Sequence, residues 1–104
     1  MIHGEAKTGK AWIGNQEIDI NRSLRLINKS PTGFSWGYHG SGPGQLALAI
    51  LLELTDEQAA LNFYQLFKQE VIAQLPAHED FSLPVAQVLG WINARKTEHC
   101  HDEN

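Results

Sequence analysis

The sequence predicts a single α+β domain in which a small antiparallel β-sheet packs against three α-helices. Two observations support this fold class. Residues 1–29 contain short segments in which apolar and polar residues alternate, as they do in a strand with one solvated face. Residues 43–54 are apolar on every side, which is typical of a helix that is buried all round. The chain has 104 residues, of which 42% are hydrophobic, and this suffices for one domain of ordinary composition.

The amino-terminal third predicts a hairpin and one or two further strands. Residues 11–13 and 17–20 have the composition of strands, and Gly14-Asn15 between them is typical of a hairpin turn. Residues 24–26 alternate again, so we predict a third strand there. We also expect residues 34–38 to be extended, which would add one more strand to the sheet.

The first helix is predicted to begin at Pro43 and to form the centre of the core. Proline is favoured at the first helical position, and Ser41 or Gly42 can act as the cap. Because apolar residues cover the whole surface of this helix, the sheet and the other helices should pack around it.

Two apolar stripes predict two further helices. Residues 55–58 have the form of a capping box, which would start the second helix, and Pro76 would end it. Ser82 is predicted to cap the third helix, whose apolar stripe includes Val88 and Ile92.

The polar segment 97–104 is predicted to be a disordered tail that follows a domain of residues 1–96. It contains His99, Cys100 and His101, which are residue types that bind zinc. A closed zinc site usually draws on two separated pairs of ligands, and the second pair is missing. We therefore expect no metal site and no cofactor.

The strongest candidate for a function is the segment 30–44, called here the aromatic loop, which contains five glycines and three aromatic residues. In an extended segment, alternate side chains share one face, so the three aromatic rings would form a surface on which a base could stack. The loop then enters a helix whose first N–H groups can bind a phosphate. The sequence therefore predicts a non-enzymatic module that binds a phosphate-bearing or nucleotide-like small molecule. The predicted ligand-binding residues are Phe34, Trp36, Tyr38, His39, Gly40, Ser41, Gly42 and Gly44.

Three alternatives to this interpretation stay open. In the first, the aromatic side chains pack into the core and the glycines only permit a tight turn. In the second, exposed aromatic residues anchor a protein partner, for example a host protein that a phage inhibitor binds. In the third, His39 is the base of an enzyme, although no neighbouring residue has a spacing that requires a triad, and no catalytic residue is assigned. Burial of Trp36 would remove the main support for both binding interpretations. The sequence leaves open whether the protein forms a homo-oligomer.

Composition and charge exclude several classes of protein. The net charge is −4 and the cations form no run, which argues against binding of extended nucleic acid. Cys100 is the only cysteine, so no intrachain disulfide can form and a disulfide-stapled scaffold is excluded. The amino terminus lacks the pattern of a signal peptide, and the longest apolar run, residues 46–52, is too short to span a membrane. We therefore expect a cytoplasmic protein without a membrane partner.

A longer motif suggests a family. Residues 30–43 read Ser-Pro-Thr-Gly-Phe-x-Trp-Gly-Tyr-x-Gly-Ser-Gly-Pro, and a Gln-Leu-Ala-Leu-Ala-Ile-Leu run follows at 45–51. This motif resembles the signature of a small family of bacterial and phage proteins of unknown function. The family commonly has Gly at position 39 and Ala at position 44, where this chain has His39 and Gly44, and variation at position 39 argues against a catalytic role for His39. The resemblance implies a bacterial or mobile-element context, and it implies no activity, cofactor or catalytic residue.

Overall fold

A computed structural model of the protein describes the backbone of residues 1–102 and the side chains of residues 1–96. The order of elements along the chain is β1 (Ile2–Glu5), β2 (Lys10–Ile13), β3 (Gln16–Glu17), α1 (Ile20–Leu24), α2 (Ser41–Leu54), α3 (Glu57–Glu70), a short 3₁₀ helix (Ile72–Gln74), β4 (Phe81–Leu83) and α4 (Val85–Asp102).

The four strands form one antiparallel sheet in the order β3-β2-β1-β4. Ile2 of β1 lies opposite Ile13 of β2 on one side and opposite Leu83 of β4 on the other. Ile2 and Leu83 are buried, so this face of the sheet contributes to the core. The predicted α+β class and the antiparallel sheet are confirmed, and so is the hairpin at Gly14, whose φ of 61° suits a tight turn.

The prediction of a third strand at residues 24–26 is wrong, because helix α1 ends at Leu24 and residues 25–26 form the turn that follows it. The side chain of Asp19 caps this helix by accepting the N–H of Asn21 at 2.9 Å. Ser23 is fully buried and its hydroxyl donates to the carbonyl of Ile20 at 2.8 Å. These local bonds satisfy the backbone of a short helical turn, and alternation over three residues was too short a signal to exclude it.

The sheet also does not extend through residues 34–38. The structure assigns no strand there, and Gly37 has a φ of 84°. A residue in this left-handed conformation turns the chain and breaks the alternation of a strand. The strands that sequence analysis did not identify are β1 and β4, which pair with each other although about 80 residues separate them.

Helix α2 is buried, as predicted. Every residue of this helix from Gly42 to Leu52 is buried, including Leu48 and Ile50 on different sides of the helix. It packs against α3, α1 and the 3₁₀ helix. The helix begins at Ser41, two residues before the predicted start.

The ends of the later helices differ from the predicted ones. Asp56, and not Thr55, caps α3, because the Asp56 carboxylate accepts the N–H of Ala59 at 2.8 Å. The Thr55 hydroxyl donates instead to the last turn of α2. Ser82 lies in β4 opposite His3, so its backbone is paired in the sheet and it does not cap α4.

Helix α4 packs on α3 through Trp91, whose ring lies 5.1 Å from that of Phe67. The indole N–H of Trp91 donates to Glu70 at 3.0 Å, and Arg95 forms a salt bridge with the same carboxylate. The backbone of α4 is helical to Asp102. The side chains from residue 97 onward, including His99, Cys100 and His101, lie outside the described part, so the predictions for this tail stay predictions.

Candidate functional site

Two backbone hydrogen bonds, at Phe34 and at Gly37, hold the aromatic loop to the rest of the domain. The N–H of Phe34 donates to the carbonyl of Gly9 at 3.0 Å, and the N–H of Gly37 donates to the carbonyl of Ile72 at 3.0 Å. A Cβ at Gly37 would lie 2.5 Å from the backbone of Ala77. Glycine is therefore required at position 37 for two reasons, its positive φ and the close approach of the 77–80 segment.

Two of the three aromatic side chains belong to the core. Phe34 is 6% exposed and Trp36 is 4% exposed, whereas Tyr38 is 49% exposed. The Trp36 ring packs edge-on against Phe81 at 4.7 Å, and its indole N–H donates to the carbonyl of Glu79 at 2.8 Å. The expected exposed surface of three rings is therefore not formed, because the turn at Gly37 separates Tyr38 from the other two.

All three aromatic residues nevertheless contribute to the lining of one groove, called here the aromatic groove, with a volume of about 190 Å³. Its lining residues are Ala6, Phe34, Ser35, Trp36, Tyr38 and His78. His78 has a φ of 65°, a conformation that costs a residue with a Cβ free energy and that is found most often in turns and at functional sites. Sequence analysis did not single out His78.

The amino end of α2 adjoins this groove and has no side-chain cap. Its N-cap residue is Gly40, and the helix's first backbone bond runs from the N–H of Gly44 to the carbonyl of Gly40, at 3.1 Å. The N–H groups of Ser41 and Gly42 therefore have no acceptor within the helix, and Pro43 has no N–H. Ser41 is exposed, whereas Gly42 is buried against Ser35.

Tyr38 connects the groove with the helix end. A Cβ at Gly40 would lie 2.5 Å from Cε2 of the Tyr38 ring, so the ring covers the backbone just before the helix begins. The Tyr38 hydroxyl shares a hydrogen bond of 2.9 Å with the hydroxyl of Ser35. Tyr38 is thus an exposed aromatic ring fixed beside the amino end of α2.

Two lysines flank the first turn of α2, and sequence analysis identified neither. A Cβ at Gly44 would lie 3.6 Å from Cδ of Lys29 and 3.7 Å from Cδ of Lys68. Lys29 precedes the aromatic loop and Lys68 lies on α3, so only the tertiary structure brings them together. Within the described part of the chain neither lysine forms a salt bridge. Gly42 and Gly44 lie about 200° apart around the helix axis, so the lysines and the groove approach the helix end from different sides.

The position of Lys29 is fixed by Gln45, a buried polar residue of α2. Oε1 of Gln45 accepts the N–H groups of Lys29 and Ser30, at 2.9 and 3.1 Å. Its Nε2 donates to the hydroxyl of Ser23 at 2.8 Å and to the carbonyl of Ile27 at 3.0 Å. Gln45 is 1% exposed, and each of its polar atoms has partners, as burial requires.

His39 is exposed, and its side chain forms no hydrogen bond or ion pair with another described residue. Among the described residues no group of three or more His, Cys, Asp or Glu is placed to hold a metal ion. In the same part of the chain, no helix has the length and apolar character that crossing a membrane requires.

Comparison with known proteins gives one match. Residues 2–94 match the model of a family of unknown function (DUF6166). Neither a curated protein nor a solved structure matches the chain.

Proposed function

The chain belongs to this family of unknown function, and we propose that it binds a small phosphate-bearing ligand at the amino end of α2 and does not act as an enzyme on it. The observation that carries the proposal is the start of α2, which has no side-chain cap and has Lys29 and Lys68 beside Gly44. Trp36 is buried, which removes the main support that the sequence offered for a binding function, and Tyr38 supplies the one exposed ring of the aromatic loop. The proposal therefore rests on the helix end and its lysines more than on the stacking surface that the sequence predicted.

The electrostatics of this arrangement favour an anion. The amino end of a helix carries a partial positive charge, so cations placed there are disfavoured by a few tenths of a kcal/mol up to about 1 kcal/mol each. The positive charges of two lysines beside an uncapped helix start are therefore unfavourable to the partial positive charge of the helix end and to each other. A bound phosphate would reverse the sign of these interactions, because it would accept from the free N–H groups and pair with the ammonium groups.

Tyr38 would supply the second contact of the proposed ligand. Its half-exposed ring covers Gly40, directly before the N–H groups of Ser41 and Gly42. Aromatic rings in such positions stack on bases, which is worth about 1–3 kcal/mol per base. The aromatic groove, at about 190 Å³, is smaller than the roughly 300–1,000 Å³ of typical pockets for larger ligands. We therefore propose a ligand whose phosphate binds at the amino end of α2 and whose ring stacks on Tyr38. The rest of this ligand would be exposed to solvent.

Binding of a protein partner is the alternative function, and one observation favours it. The aromatic groove is apolar, and Tyr38 at its rim is the kind of residue that anchors interfaces. A bacterial or phage setting, which the resemblance of residues 30–51 implies, belongs to the same set of proposals, and so does the cytoplasmic location expected from composition. In that setting the groove would take one side chain of a host protein.

The test is a titration of ¹⁵N-labelled protein with inorganic phosphate, AMP and adenosine, followed by NMR. We expect phosphate and AMP to shift the amide signals of Ser41 and Gly42 in a saturable way, with AMP binding more tightly than phosphate because its base stacks on Tyr38. The variants Lys29→Met and Lys68→Met should each weaken phosphate binding about three- to tenfold, since each removes one partly solvated ion pair.

Lys7→Met is the matched control, because it removes the same charge from the turn between β1 and β2, away from Gly44. It should leave the affinity for phosphate nearly unchanged. If phosphate and AMP leave the signals of Ser41 and Gly42 in place, the proposal of an anion site is wrong. Equal effects of all three lysine variants would show binding to the overall charge and not to this site.

A further inference from the structure

Strand β3 forms one edge of the sheet, because the strand order β3-β2-β1-β4 gives it a single neighbour. The N–H of Ile18, directly after β3, donates to the carbonyl of Ala11 in β2 at 2.8 Å. In an antiparallel pair, residues whose backbone groups bond to the neighbouring strand alternate with residues whose backbone groups point away from it. Because Ile18 bonds to β2, the N–H and C=O groups of Glu17 point away from β2, toward the edge.

The backbone of Glu17 is unpaired and accessible. Within the described residues, neither its N–H nor its C=O forms a hydrogen bond, and Glu17 is exposed. Two cavities, with volumes of about 180 and 270 Å³, adjoin this edge, and Glu17 and Ile18 line both of them. An edge strand with unpaired backbone groups is a template on which a further strand can pair.

The smaller cavity lies on the core side of this edge, between β3 and the end of α2. Its lining residues are Ile13, Gln16, Glu17, Ile18, Glu53 and Leu54. Alternate residues of a strand share a face, so Gln16 lies on the same side as Ile18, which is 4% exposed and belongs to the core. An engineered apolar cavity of about 150 Å³ binds benzene. The cavity beside β3, at about 180 Å³, can therefore take one apolar side chain.

The side chain of Glu17 lies on the other, outer face of the sheet. There it continues a row of side chains, because Trp12 lies opposite Glu17 and His3 lies opposite Trp12. The rings of His3 and Trp12 stack on each other with their centroids 5.0 Å apart. Among the described residues, no cation forms a salt bridge with Glu17. The row therefore ends at the sheet edge in an unpaired carboxylate.

We propose that β3 is the docking edge for an extended segment of a partner protein, which pairs with β3 as an added strand and has the pattern apolar-basic-apolar. The residue opposite Glu17 exchanges both backbone hydrogen bonds with it. The side chain of that residue lies on the outer face, where a Lys or Arg pairs with the Glu17 carboxylate. Its two neighbours point to the core side, where one of them fills the cavity beside Leu54. This surface is separate from the anion site and from the aromatic groove.

The charge of Glu17 decides between a partner protein and a second copy of this chain. If two copies paired through β3 about a two-fold axis at Glu17, the two Glu17 carboxylates would lie directly opposite each other. Like charges in that position are destabilising, and charged side chains on edge strands are a common means of preventing self-pairing. The same carboxylate favours a segment with a basic residue at this position.

The test is an NMR titration of the ¹⁵N-labelled full chain with the terminally capped peptide Thr-Val-Lys-Val-Thr. We expect saturable shifts of the amide signals of residues 16–19. The same peptide with Glu in place of Lys should bind about three- to tenfold more weakly, because attraction to Glu17 becomes repulsion. A peptide with a methyl group on the backbone nitrogen of its Lys should not bind, since it cannot donate to the C=O of Glu17. Equal binding of the methylated peptide, or shifts at the other edge strand, Phe81–Leu83, in place of residues 16–19, would overturn the proposal.

Reversing the charge of Glu17 tests the role of its carboxylate. Glu17→Lys should weaken binding of the Lys peptide about three- to tenfold and strengthen binding of the Glu peptide, because it reverses the sign of the pair. Glu79→Lys makes the same change beside the other edge strand and should leave the preference for the Lys peptide in place. If both variants lose this preference equally, the peptide responds to net charge and the proposal is wrong. Concentration-dependent shifts of residues 16–19 without peptide would show that a second copy occupies the edge, which also contradicts it.

Discussion

Oε1 of Gln45 accepts the backbone N–H of Lys29 at 2.9 Å, so a buried residue of α2 fixes a lysine beside the start of the same helix. The remaining bonds of Gln45, to Ser30, Ser23 and Ile27, tie the whole connection after α1 to α2. This side chain therefore links the packing of the core to the geometry of the proposed anion site.

Replacing Gln45 by Leu should lower the free energy of unfolding by about 2–5 kcal/mol, because it leaves several buried backbone and hydroxyl groups without partners. Urea unfolding of both proteins measures the difference. Ser23→Ala, which removes one of the four partners of Gln45, is the graded control and should cost about 1 kcal/mol. An unchanged unfolding midpoint for Gln45→Leu would show that this network contributes nothing to stability.

Substitution of Trp36 and substitution of Tyr38 should affect stability differently, because Trp36 is a core residue and Tyr38 is a surface residue. Trp36→Ala should cost about 3–5 kcal/mol of stability, because it removes a buried ring and the bond to the carbonyl of Glu79. Tyr38→Ala should cost about 1 kcal/mol or less, since its ring is half exposed, and it should weaken AMP binding more than phosphate binding. Thermal melts and the two titrations measure these effects. A large loss of stability in Tyr38→Ala with no change in AMP binding would contradict the role proposed for this ring.

Ser41→Asp should abolish phosphate binding and preserve the fold. Ser41 is exposed, and a carboxylate in the first turn is itself favourable to the helix, but it repels a second anion. Ser41→Asn is the uncharged control of the same size and should bind phosphate nearly as the wild type does. Position 42 is unsuitable for this test, because a Cβ at Gly42 would lie 1.8 Å from the hydroxyl oxygen of Ser35. Phosphate affinity of Ser41→Asp equal to that of Ser41→Asn would place the anion elsewhere.

Gly37→Ala should lower stability more than Gly14→Ala does, because only the Gly37 variant introduces a steric clash. Both glycines have positive φ, so alanine costs about 1–2 kcal/mol at either position. A Cβ at Gly14 meets no atom within 4 Å, whereas at Gly37 it meets the backbone of Ala77 at 2.5 Å. The clash should add about 1–3 kcal/mol to Gly37→Ala. Equal melting temperatures of the two variants would show that the 77–80 segment moves away without cost.

Periodicity, turn residues and an all-round apolar surface are local signals, so they suffice to predict the α+β class, the hairpin at Gly14 and the buried helix α2. The alternation at residues 24–26 did not predict helix α1 and the turn after it, because the cap that Asp19 provides is a side-chain contact that an apolar/polar pattern does not contain.

Which parts of the aromatic loop reach the surface depends on contacts between segments that are far apart in the chain. Trp36 is buried because β4, far along the chain, brings Phe81 against its ring, and no local pattern contains that contact. Lys29 and Lys68 meet at Gly44 for the same reason, because one comes from the connection after α1 and the other from α3. Glycine spacing and aromatic density identified the segment 30–44, but the charges around its helix end depend on long-range packing, which determines which side chains lie close together.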